Sequence, residues 1–346
     1  MKKKLFPAEW HKQYGVALTF PHADSDWAED LMLVIPVFVN LANIISKHEQ
    51  VIIICDQIEK VKALLTDANQ ERITYVLAES NDTWARDHMP LTVLTDGLPV
   101  LVKYRFNGWG LKFPANLDNT IAYALKKYAP FDEVPMEEGG IVLEGGALET
   151  DGMGTLLSTT ACMGSINRNP HLNQEELEKL LTEQLGVDTF LWLHHGYLAG
   201  DDTDSHIDTL ARFCDANTIV YVSCEDEEDE HYAALKRMEK ELYAFKNRDG
   251  KAYQLVPLPM APTIYDKAGQ RLPATYANFL IINEAVLVPV YGDDALDNQA
   301  LDILSKCFPD RKIYPVNCEV LIRQHGSLHC VTMQFPIELS ISTEIN

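Results

Sequence analysis

A histidine inside an acidic run is the first candidate for chemistry in this chain. The run Gly200–Asp208 reads Gly-Asp-Asp-Thr-Asp-Ser-His-Ile-Asp and places His206 two positions before Asp208. If the run ends in a β-strand, these two side chains point to the same face and into one cavity. Because histidine titrates near neutral pH, His206 is a candidate for transferring protons in a reaction.

The same run resembles a calcium-binding loop, because acidic residues recur at alternate positions. Counting from Asp202, however, His206 takes the place of the third acid and Ile207 takes the place of the loop's glycine. Phe213 stands where such a loop has its terminal glutamate. Zinc is also disfavoured, since no second histidine or cysteine stands at ligand spacing. The residues therefore predict no metal site here.

A cysteine late in the sequence is the candidate nucleophile. Cys330 follows Gly326 and Ser327, whose small side chains permit close approach of a ligand, and an apolar β segment comes next. A lone cysteine is more often structural, but a distant histidine and several acids in the same chain favour a nucleophile. His329 would point away from Cys330 if both lay on a strand, so His206 is the better acid or base.

Two further acids stand where the chain could present them to a ligand. Glu144 ends an apolar strand before two glycines, where a carboxylate must be paired or solvated, and a loop glutamate facing water is an equal alternative. Asp87 follows Trp84 and Arg86, and taken alone it is better explained by a surface pair with Arg86. Together with the aspartate, histidine and cysteine above, these acids suit binding of a guanidinium cation and cleavage of a C–N bond in it.

Short β runs alternate with helical stretches along the chain, and these elements must position the candidate residues. The predicted strands are Val51–Cys55, Thr74–Leu77, Val100–Tyr104, Gly154–Leu157, Ile219–Val222, Phe279–Ile282, Ala285–Val290 and Lys312–Val316. The predicted helices are Asp26–Lys47, Leu117–Tyr128, Gln174–Leu185, Glu230–Asn247 and Ala295–Cys307, the last capped by Asp293 or Asp294. Strand, helix and strand recur every ~60–70 residues, which suggests about five similar units. Each motif falls near the end of a predicted strand or just after it.

Composition narrows the class of protein. The formal charge of −22 at pH 7 disfavours nucleic acid and anionic membranes as partners and favours a cationic ligand. The acidic run Glu225–Glu230 is expected to be a solvated turn before a helix. No apolar stretch approaches the ~18–20 residues of a membrane span. Pro7 and Glu9 follow the basic N-terminal residues where a signal peptide would have an apolar segment, so a signal peptide is not expected. Seven scattered cysteines predict free thiols in a reducing, cytoplasmic setting. No linker interrupts the chain, so a single domain of residues 1–346 is expected.

The motifs occur together, and in order, in a known family. The chain resembles the agmatine deiminase and bacterial peptidyl-arginine deiminase family, within the guanidine-modifying superfamily of the pentein fold. The resemblance extends over nearly the whole chain. The motifs that carry it are Pro7-Ala8-Glu9-Trp10, Trp84-Ala85-Arg86-Asp87 with Pro90, Glu144-Gly145-Gly146 with Asp151-Gly152-x-Gly154-Thr155, Asn167-Arg168-Asn169-Pro170, Asp202-Thr203-Asp204-x-His206-x-Asp208 and Gly326-x-x-His329-Cys330-x-Thr332.

The resemblance implies an α/β propeller of about five ββαβ units around a pseudo-fivefold axis, with the site in the central cavity. It implies hydrolytic deimination, foremost of agmatine to N-carbamoylputrescine and ammonia. In this reaction Cys330 attacks the guanidinium carbon as a thiolate. His206 protonates the departing ammonia and then activates water against the thiouronium intermediate. Glu144 orients His206 or stabilises the positive charge of the substrate.

The resemblance also assigns substrate contacts and partners. Asp87 and Asp208 hold the guanidinium nitrogens by charge-assisted hydrogen bonds, and Trp84 belongs to the substrate-binding set. No metal or organic cofactor is required. The expected partner is a small cationic guanidino compound rather than nucleic acid or a membrane, and a homo-oligomer is left open.

Several positions depart from the family pattern. Met89 and Ser205 stand where the family usually has glycine, Ala147 replaces a residue that is commonly polar, and His325 interrupts the glycine run before the cysteine. These departures concern the contacts to the tail of the substrate. They leave open deimination of peptidyl arginine or another guanidine, transfer of the amidino group to an amine, and binding of guanidines without catalysis.

Overall fold

The structure is a computed structural model that describes residues 3–343, and it has an α/β fold with five small β-sheets. The strands are β1 Lys4–Leu5, β2 Gln13–Thr19, β3 Gln50–Cys55, β4 Ile73–Leu77, β5 Leu91–Thr95, β6 Leu98–Arg105, β7 Met136–Val142, β8 Glu149–Thr150, β9 Thr155–Thr159, β10 Thr189–Leu193, β11 Ala211–Asp215, β12 Thr218–Ser223, β13 Gln254–Pro259, β14 Leu280–Ile282, β15 Ala285–Val290, β16 Lys312–Asn317 and β17 Thr332–Pro336. The helices are α1 Leu31–Ile45, α2 Ile58–Leu64, α3 Ala85–His88, α4 Gly108–Leu111, α5 Ile121–Leu125, α6 Thr160–Met163, α7 Gln174–Leu185, α8 Tyr232–Ala244 and α9 Asp294–Cys307.

One arrangement recurs in the sheets. Strands β8 and β9 are antiparallel neighbours, and β10 pairs in parallel with β9 after the chain has passed through α7. The same order occurs in β11, β12, α8 and β13, and again in β14, β15, α9 and β16. A helix is the usual connection here, because a parallel strand must start again at the same end of the sheet.

The other two sheets extend this arrangement. Strands β5, β6 and β7 follow it with α5 as the connecting helix, and β1 adds to the edge beside β5. In the last sheet β2, α1 and β3 supply the parallel pair, while the antiparallel partner of β2 is β17. Met333 of β17 lies opposite Ala17 of β2, so two distant parts of the chain complete this fifth unit.

The elements predicted from the sequence are confirmed, with shifts at their ends. Helix α7 and strand β15 have the predicted bounds, and the side chain of Asp293 accepts the backbone N–H groups that begin α9. The first predicted helix starts later than expected, at Leu31. The prediction for Leu117–Tyr128 was too long, because only Ile121–Leu125 is α-helical and a 3-10 turn precedes it.

Apolar side chains from helices and sheets form the two main clusters of the core, and Phe38, Phe213 and Phe279 are fully buried in the larger one. All seven cysteines are free thiols, as predicted. The acidic run Glu225–Glu230 forms a mostly exposed turn before α8, also as predicted. Among residues 3–343, none of the helices combines the length and the apolar character needed to cross a membrane.

Candidate active site

Five loops, one before the first strand of each unit, bring polar side chains into a buried cluster. The side chains are Asp87 before β5, Glu144 before β8, Asp208 before β11, Asn278 before β14 and Cys330 before β17. Each is at most 5% exposed. The sequence predicted Asp87, Glu144, Asp208 and Cys330 near or just after strand ends, which describes only Glu144, two residues after β7. Equivalent loops of repeated units lie at the same end of their sheets, and this is why distant segments can meet there.

The thiol of Cys330 lies at the floor of a cavity of about 420 Å³ that opens to solvent. Its Sγ is 3.4 Å from Oδ1 of Asn278 and 3.8 Å from Oδ2 of Asp208. Burial raises the pKa of Cys330 well above its ordinary value, and the negative charges of Asp208 and Asp87 raise it further. These surroundings favour the protonated thiol of Cys330 at neutral pH.

Asp87 lies in the short helix α3 and faces the same cavity. Its Oδ1 accepts a hydrogen bond of 2.9 Å from the backbone N–H of Gly146, and its Oδ2 accepts one of 2.9 Å from Nε1 of Trp109. Burial raises the pKa of Asp87 above its ordinary value, and the charge of His206 offsets part of this rise. The surface pair with Arg86 that the sequence suggested is wrong, because both side chains are buried.

His206 lies between two carboxylates. Its Nδ1 is 3.7 Å from Oδ1 of Asp87, and its Nε2 is 3.9 Å from Oε2 of Glu144. Neither ring nitrogen has a hydrogen-bond partner, although the side chain is only 1% exposed. Burial alone would lower the pKa of His206, but Asp87, Cys162 and Glu144 raise it well above its ordinary value. A buried imidazolium with a free N–H is suited to donating a proton.

The expected strand at His206 and Asp208 is wrong, since Ile207–Thr209 forms a 3-10 turn directly after His206. The two side chains nevertheless approach one another around Gly146. A Cβ atom on Gly146 would lie 2.6 Å from Nδ1 of His206, 2.9 Å from Oδ1 of Asp87 and 3.2 Å from Oδ2 of Asp208. Only a glycine leaves room for three ionisable groups at this point.

Glu144 is fully buried, so the alternative of a loop glutamate facing water is wrong. Nε of Arg168 donates to both of its carboxylate oxygens, at 2.8 Å and 3.0 Å. The guanidinium of Arg168 also donates to Oδ2 of Asp204 at 2.6 Å and to the carbonyl of Thr203 at 2.9 Å. Burial would raise the pKa of Glu144, but the nearby ring of His206 and the charge of Arg168 lower it. Arg168 thus ties Glu144 to the loop that carries His206.

Glu144, Cys162 and His206 offer three potential metal ligands whose donor atoms lie within 4.8 Å of one another. Ligand spacing along the chain did not predict this group of three residues, because Cys162 lies in a separate segment, α6. Thiolate, imidazole and carboxylate are donors that zinc accepts. Both carboxylate oxygens of Glu144 already accept hydrogen bonds from Arg168, so the guanidinium balances the negative charge of this ligand without a metal ion.

His329 does not point away from the site as expected. Strand β17 begins only at Thr332, and the preceding turn directs the ring of His329 towards Asp208. Nδ1 of His329 is 2.8 Å from Oδ2 of Asp208, and Nε2 is 2.6 Å from Oε2 of Glu9. This pair was not predicted from the sequence, although His329 and Glu9 both stand in the family motifs.

The wall and the mouth of the cavity are aromatic and acidic. Trp84 lines the wall and packs so closely on Gly326 that a Cβ there would lie 2.2 Å from the indole ring. Further lining residues are Asp26, Asp82, Trp109, Phe113, Asp202, Thr203, Gln324 and His325. Burial raises the pKa of Asp82 to about 7. Ser205 and His325 have φ values of 66°, in the left-handed region where glycine is favoured, so two departures from the family pattern keep a glycine-like backbone.

Comparisons with known proteins agree with this geometry. The family model for Porphyromonas-type peptidyl-arginine deiminase matches residues 5–336. An agmatine deiminase from Stutzerimonas stutzeri is 30% identical, with 95% of each chain covered. Among solved structures, a candidate arginine deiminase from Porphyromonas gingivalis is 50% identical with a TM-score of 0.92, covering 97% of this chain and 99% of that one. An agmatine deiminase from C. jejuni with substrate bound is 35% identical with a TM-score of 0.90, covering 96% of each chain. The chain belongs to the Porphyromonas-type peptidyl-arginine deiminase family.

Proposed function

We propose that this protein hydrolyses agmatine to N-carbamoylputrescine and ammonia. The observation that carries the proposal is the buried cluster of a thiol, two carboxylates and a cationic histidine, of which the thiol of Cys330 and the carboxylate of Asp87 line one cavity. A guanidinium cation needs planar, charge-assisted hydrogen bonds on its nitrogens and a nucleophile near its central carbon. Asp87 and Asp208 supply the first, and Cys330 supplies the second. The names of the agmatine deiminases among the relatives support the same substrate.

The first half of the reaction releases ammonia. The bound cation favours loss of the Cys330 proton to solvent, and the thiolate then forms a C–S bond to the guanidinium carbon. His206, already protonated, gives its proton to one nitrogen of the tetrahedral adduct, and the C–N bond breaks as ammonia leaves. The product of this step is a thiouronium cation on Cys330, still held by the two aspartates.

The second half returns the thiol. His206 is now neutral and takes a proton from a water molecule that attacks the thiouronium carbon. The C–S bond breaks as the carbonyl forms, and the hydroxyl proton of the adduct passes through solvent to the departing sulfur, which restores the thiol. Glu144, fixed by Arg168, faces Nε2 of His206 and stabilises its protonated form in both halves. None of these steps requires a metal or an organic cofactor.

The acids at the cavity mouth favour agmatine over peptidyl arginine. Agmatine carries a second cation, its terminal ammonium, whereas an arginyl side chain in a peptide is attached to a neutral backbone. Asp26, Asp82 and Asp202 line the cavity together with Asp87 and Cys330. Nearby carboxylates stabilise a second cation electrostatically, whereas a peptide would have to place uncharged amide groups beside them.

The deciding experiment measures urea-type product and ammonia with three substrates, agmatine, free arginine and an arginyl peptide. We expect kcat/KM to be highest for agmatine. Preference for the arginyl peptide would replace the proposal by peptidyl-arginine deimination, and product formation only with an added amine would indicate amidino transfer. Tight binding of agmatine without any turnover would indicate a guanidine-binding protein.

The acidic surroundings of Cys330 predict how the thiol reacts. We expect neutral iodoacetamide to alkylate Cys330 slowly near neutral pH, because burial and the two aspartates raise the pKa of the thiol. A cationic amidine reagent of matched intrinsic reactivity should react far faster, since it brings a positive charge to the sulfur and binds like the substrate. The ratio of the two inactivation rates should fall in Asp87→Asn. Equal rates for both reagents in the unmodified protein would contradict the role of the acids.

We also propose that the five sheets are the blades of one pentein propeller around a pseudo-fivefold axis, forming a single domain of residues 1–346. The repeated order of antiparallel pair, helix and parallel strand supports this arrangement, as does the meeting of one loop from each unit. A cytoplasmic location stays a prediction, and so do the exclusion of nucleic acid and membranes as partners and the possibility of a homo-oligomer.

A further inference from the structure

The opening motif Pro7-Ala8-Glu9-Trp10 has no role in the reaction described so far, yet Glu9 is only 6% exposed and lies behind the catalytic cluster. Its Oε1 accepts a hydrogen bond of 2.7 Å from the backbone N–H of Ile281. Its Oε2 accepts one of 2.8 Å from Arg212 and lies 2.6 Å from Nε2 of His329. Glu9 is therefore held on three sides by separate segments of the fold.

The ring of His329 connects Glu9 to Asp208. Both ring nitrogens lie at hydrogen-bond distance from a carboxylate oxygen, 2.6 Å on one side and 2.8 Å on the other. Burial would raise the pKa of both carboxyl groups, but Arg212 and His329 lower that of Glu9, and the hydrogen bond and charge of His329 lower that of Asp208. An ionised carboxylate only accepts hydrogen bonds, so the ring must donate from both nitrogens. His329 is thus an imidazolium between two carboxylates.

We propose that Glu9 and His329 are positioning residues: Glu9 holds the His329 imidazolium, which fixes Asp208 in orientation and in charge for the guanidinium cation. This inference rests on the proposed function, because it concerns the substrate contact assigned to Asp208. Oδ2 of Asp208 is the oxygen that His329 contacts and is also the one 3.8 Å from Sγ of Cys330. Its Oδ1 has no hydrogen-bond partner and is fully buried, as expected of an atom kept for a cationic ligand.

The charges around this pair are close to balance. The groups that act electrostatically on Glu9 or Asp208 are Glu49, Arg86, Asp87, Glu149, His206, Arg212, Arg311, His329 and Cys330. Arg212 donates to both Glu9 and Glu149, which keeps its guanidinium paired whatever the state of His329. A neutral side chain at position 329 would therefore remove the cation nearest to Asp208 and leave the rest of the network in place.

Two substitutions of His329 separate its two contacts. The amide nitrogen of asparagine lies near the position of Nδ1, so His329→Asn can still donate to Asp208. That of glutamine lies near Nε2, so His329→Gln keeps the contact with Glu9 and loses the one with Asp208. We expect His329→Gln to lower kcat/KM for agmatine by about 10- to 100-fold, mainly through KM, because a charge-assisted hydrogen bond is lost. His329→Asn should be impaired less.

The pH profile distinguishes positioning from a merely structural role. His329 keeps the pKa of Asp208 below its ordinary value, so without this cation the carboxyl group protonates at higher pH. The acid limb of kcat/KM should therefore move to higher pH in His329→Gln. The control is His48→Gln, a partly buried histidine beside Tyr314 in another part of the fold, which should leave the acid limb unchanged. Equal losses in both His329 variants with an unmoved acid limb would overturn the inference.

A second measurement needs no activity and uses a variant only to assign a signal. In protein labelled with ¹⁵N-histidine at about pH 7.5, the rings of His206 and His329 should both show two protonated nitrogens, and the signals of one of these rings should be missing in His329→Asn. A single protonated nitrogen on His329 would overturn the inference even if the kinetic variants were inactive. If this signature is present but agmatine is not hydrolysed, the proposed function fails while the His329 imidazolium stands. The kinetic comparison is then made with whichever guanidine the protein does hydrolyse.

Discussion

Cys330→Ser is expected to abolish turnover while the fold is retained. The substitution removes the protein atom that attacks the guanidinium carbon in the proposed reaction, and a serine hydroxyl is far less acidic and less nucleophilic than a thiol. The loss should reach several orders of magnitude in kcat. The measurement is ammonia release from agmatine at saturating substrate, with the free energy of unfolding determined by urea titration of the same preparation.

Cys55→Ser is the matched control for this experiment. Cys55 ends β3, and it is 4% exposed against 5% for Cys330, so both substitutions place a hydroxyl at a buried thiol position. The control should lose stability without losing its catalytic rate. Retention of more than about a tenth of the activity in Cys330→Ser would reject Cys330 as the nucleophile, since tenfold is only ~1.4 kcal/mol of barrier.

His206→Asn is expected to stall the reaction at a covalent intermediate. The nucleophile and both guanidinium-binding aspartates remain, but the group that protonates ammonia and activates water is gone. Hydrolysis of the thiouronium intermediate depends on activation of water by His206. The rate of this hydrolysis should therefore fall more than the rate of adduct formation. Rapid quenching with agmatine, followed by intact-protein mass spectrometry, should show an adduct on Cys330 that persists while steady-state turnover falls by at least about 100-fold.

The double variant that combines His206→Asn with Cys330→Ser supplies the control, and no adduct should form in it. The cysteine that carries the adduct must be identified, because Cys162 is a second buried thiol close to His206. Peptide mapping that places the adduct on Cys162 would reassign the nucleophile. Normal steady-state turnover in His206→Asn would remove His206 from the reaction.

The family, about half of the strands and the four longest helices could be predicted because their signals are local or occur in a fixed order along the chain. Strand β15 is a run of apolar and β-branched residues, α7 has an asparagine cap and a glycine just after its end, and the motifs occur in family order. The spacing of apolar residues shows which face of an element is buried, so a helix and a strand can be distinguished from a single sequence. Element ends were less accurate, as for α5, because fraying and 3-10 turns depend on tertiary contacts.

The candidate residues for the site were also found from the sequence, and the structure brings all of them to one cluster, but their surroundings were not predictable. Arg168 and Glu144 belong to different motifs, and only the fold places them 2.8 Å apart. The direction of His329 was wrong because the alternation of side chains holds in a strand, whereas this histidine precedes one. Asn278, in contact with Cys330, lies in no motif, and no pattern in the sequence marks it. The catalytic roles themselves stay predictions until the variants are measured.

The pairing of β17 with β2 sets the order in which this protein can become active during synthesis. The loop with Cys330 leaves the ribosome after the other four site loops, and β2 must wait for almost the entire chain before its antiparallel partner exists. Closing so long a loop is slow compared with forming a local hairpin. Until then the buried acids lack part of their cationic network, including His329, which leaves the ribosome just before Cys330. A nascent chain can thus carry every acid of the site and still be unable to hold its substrate. On the proposed function, catalysis begins only after β17 has paired with β2.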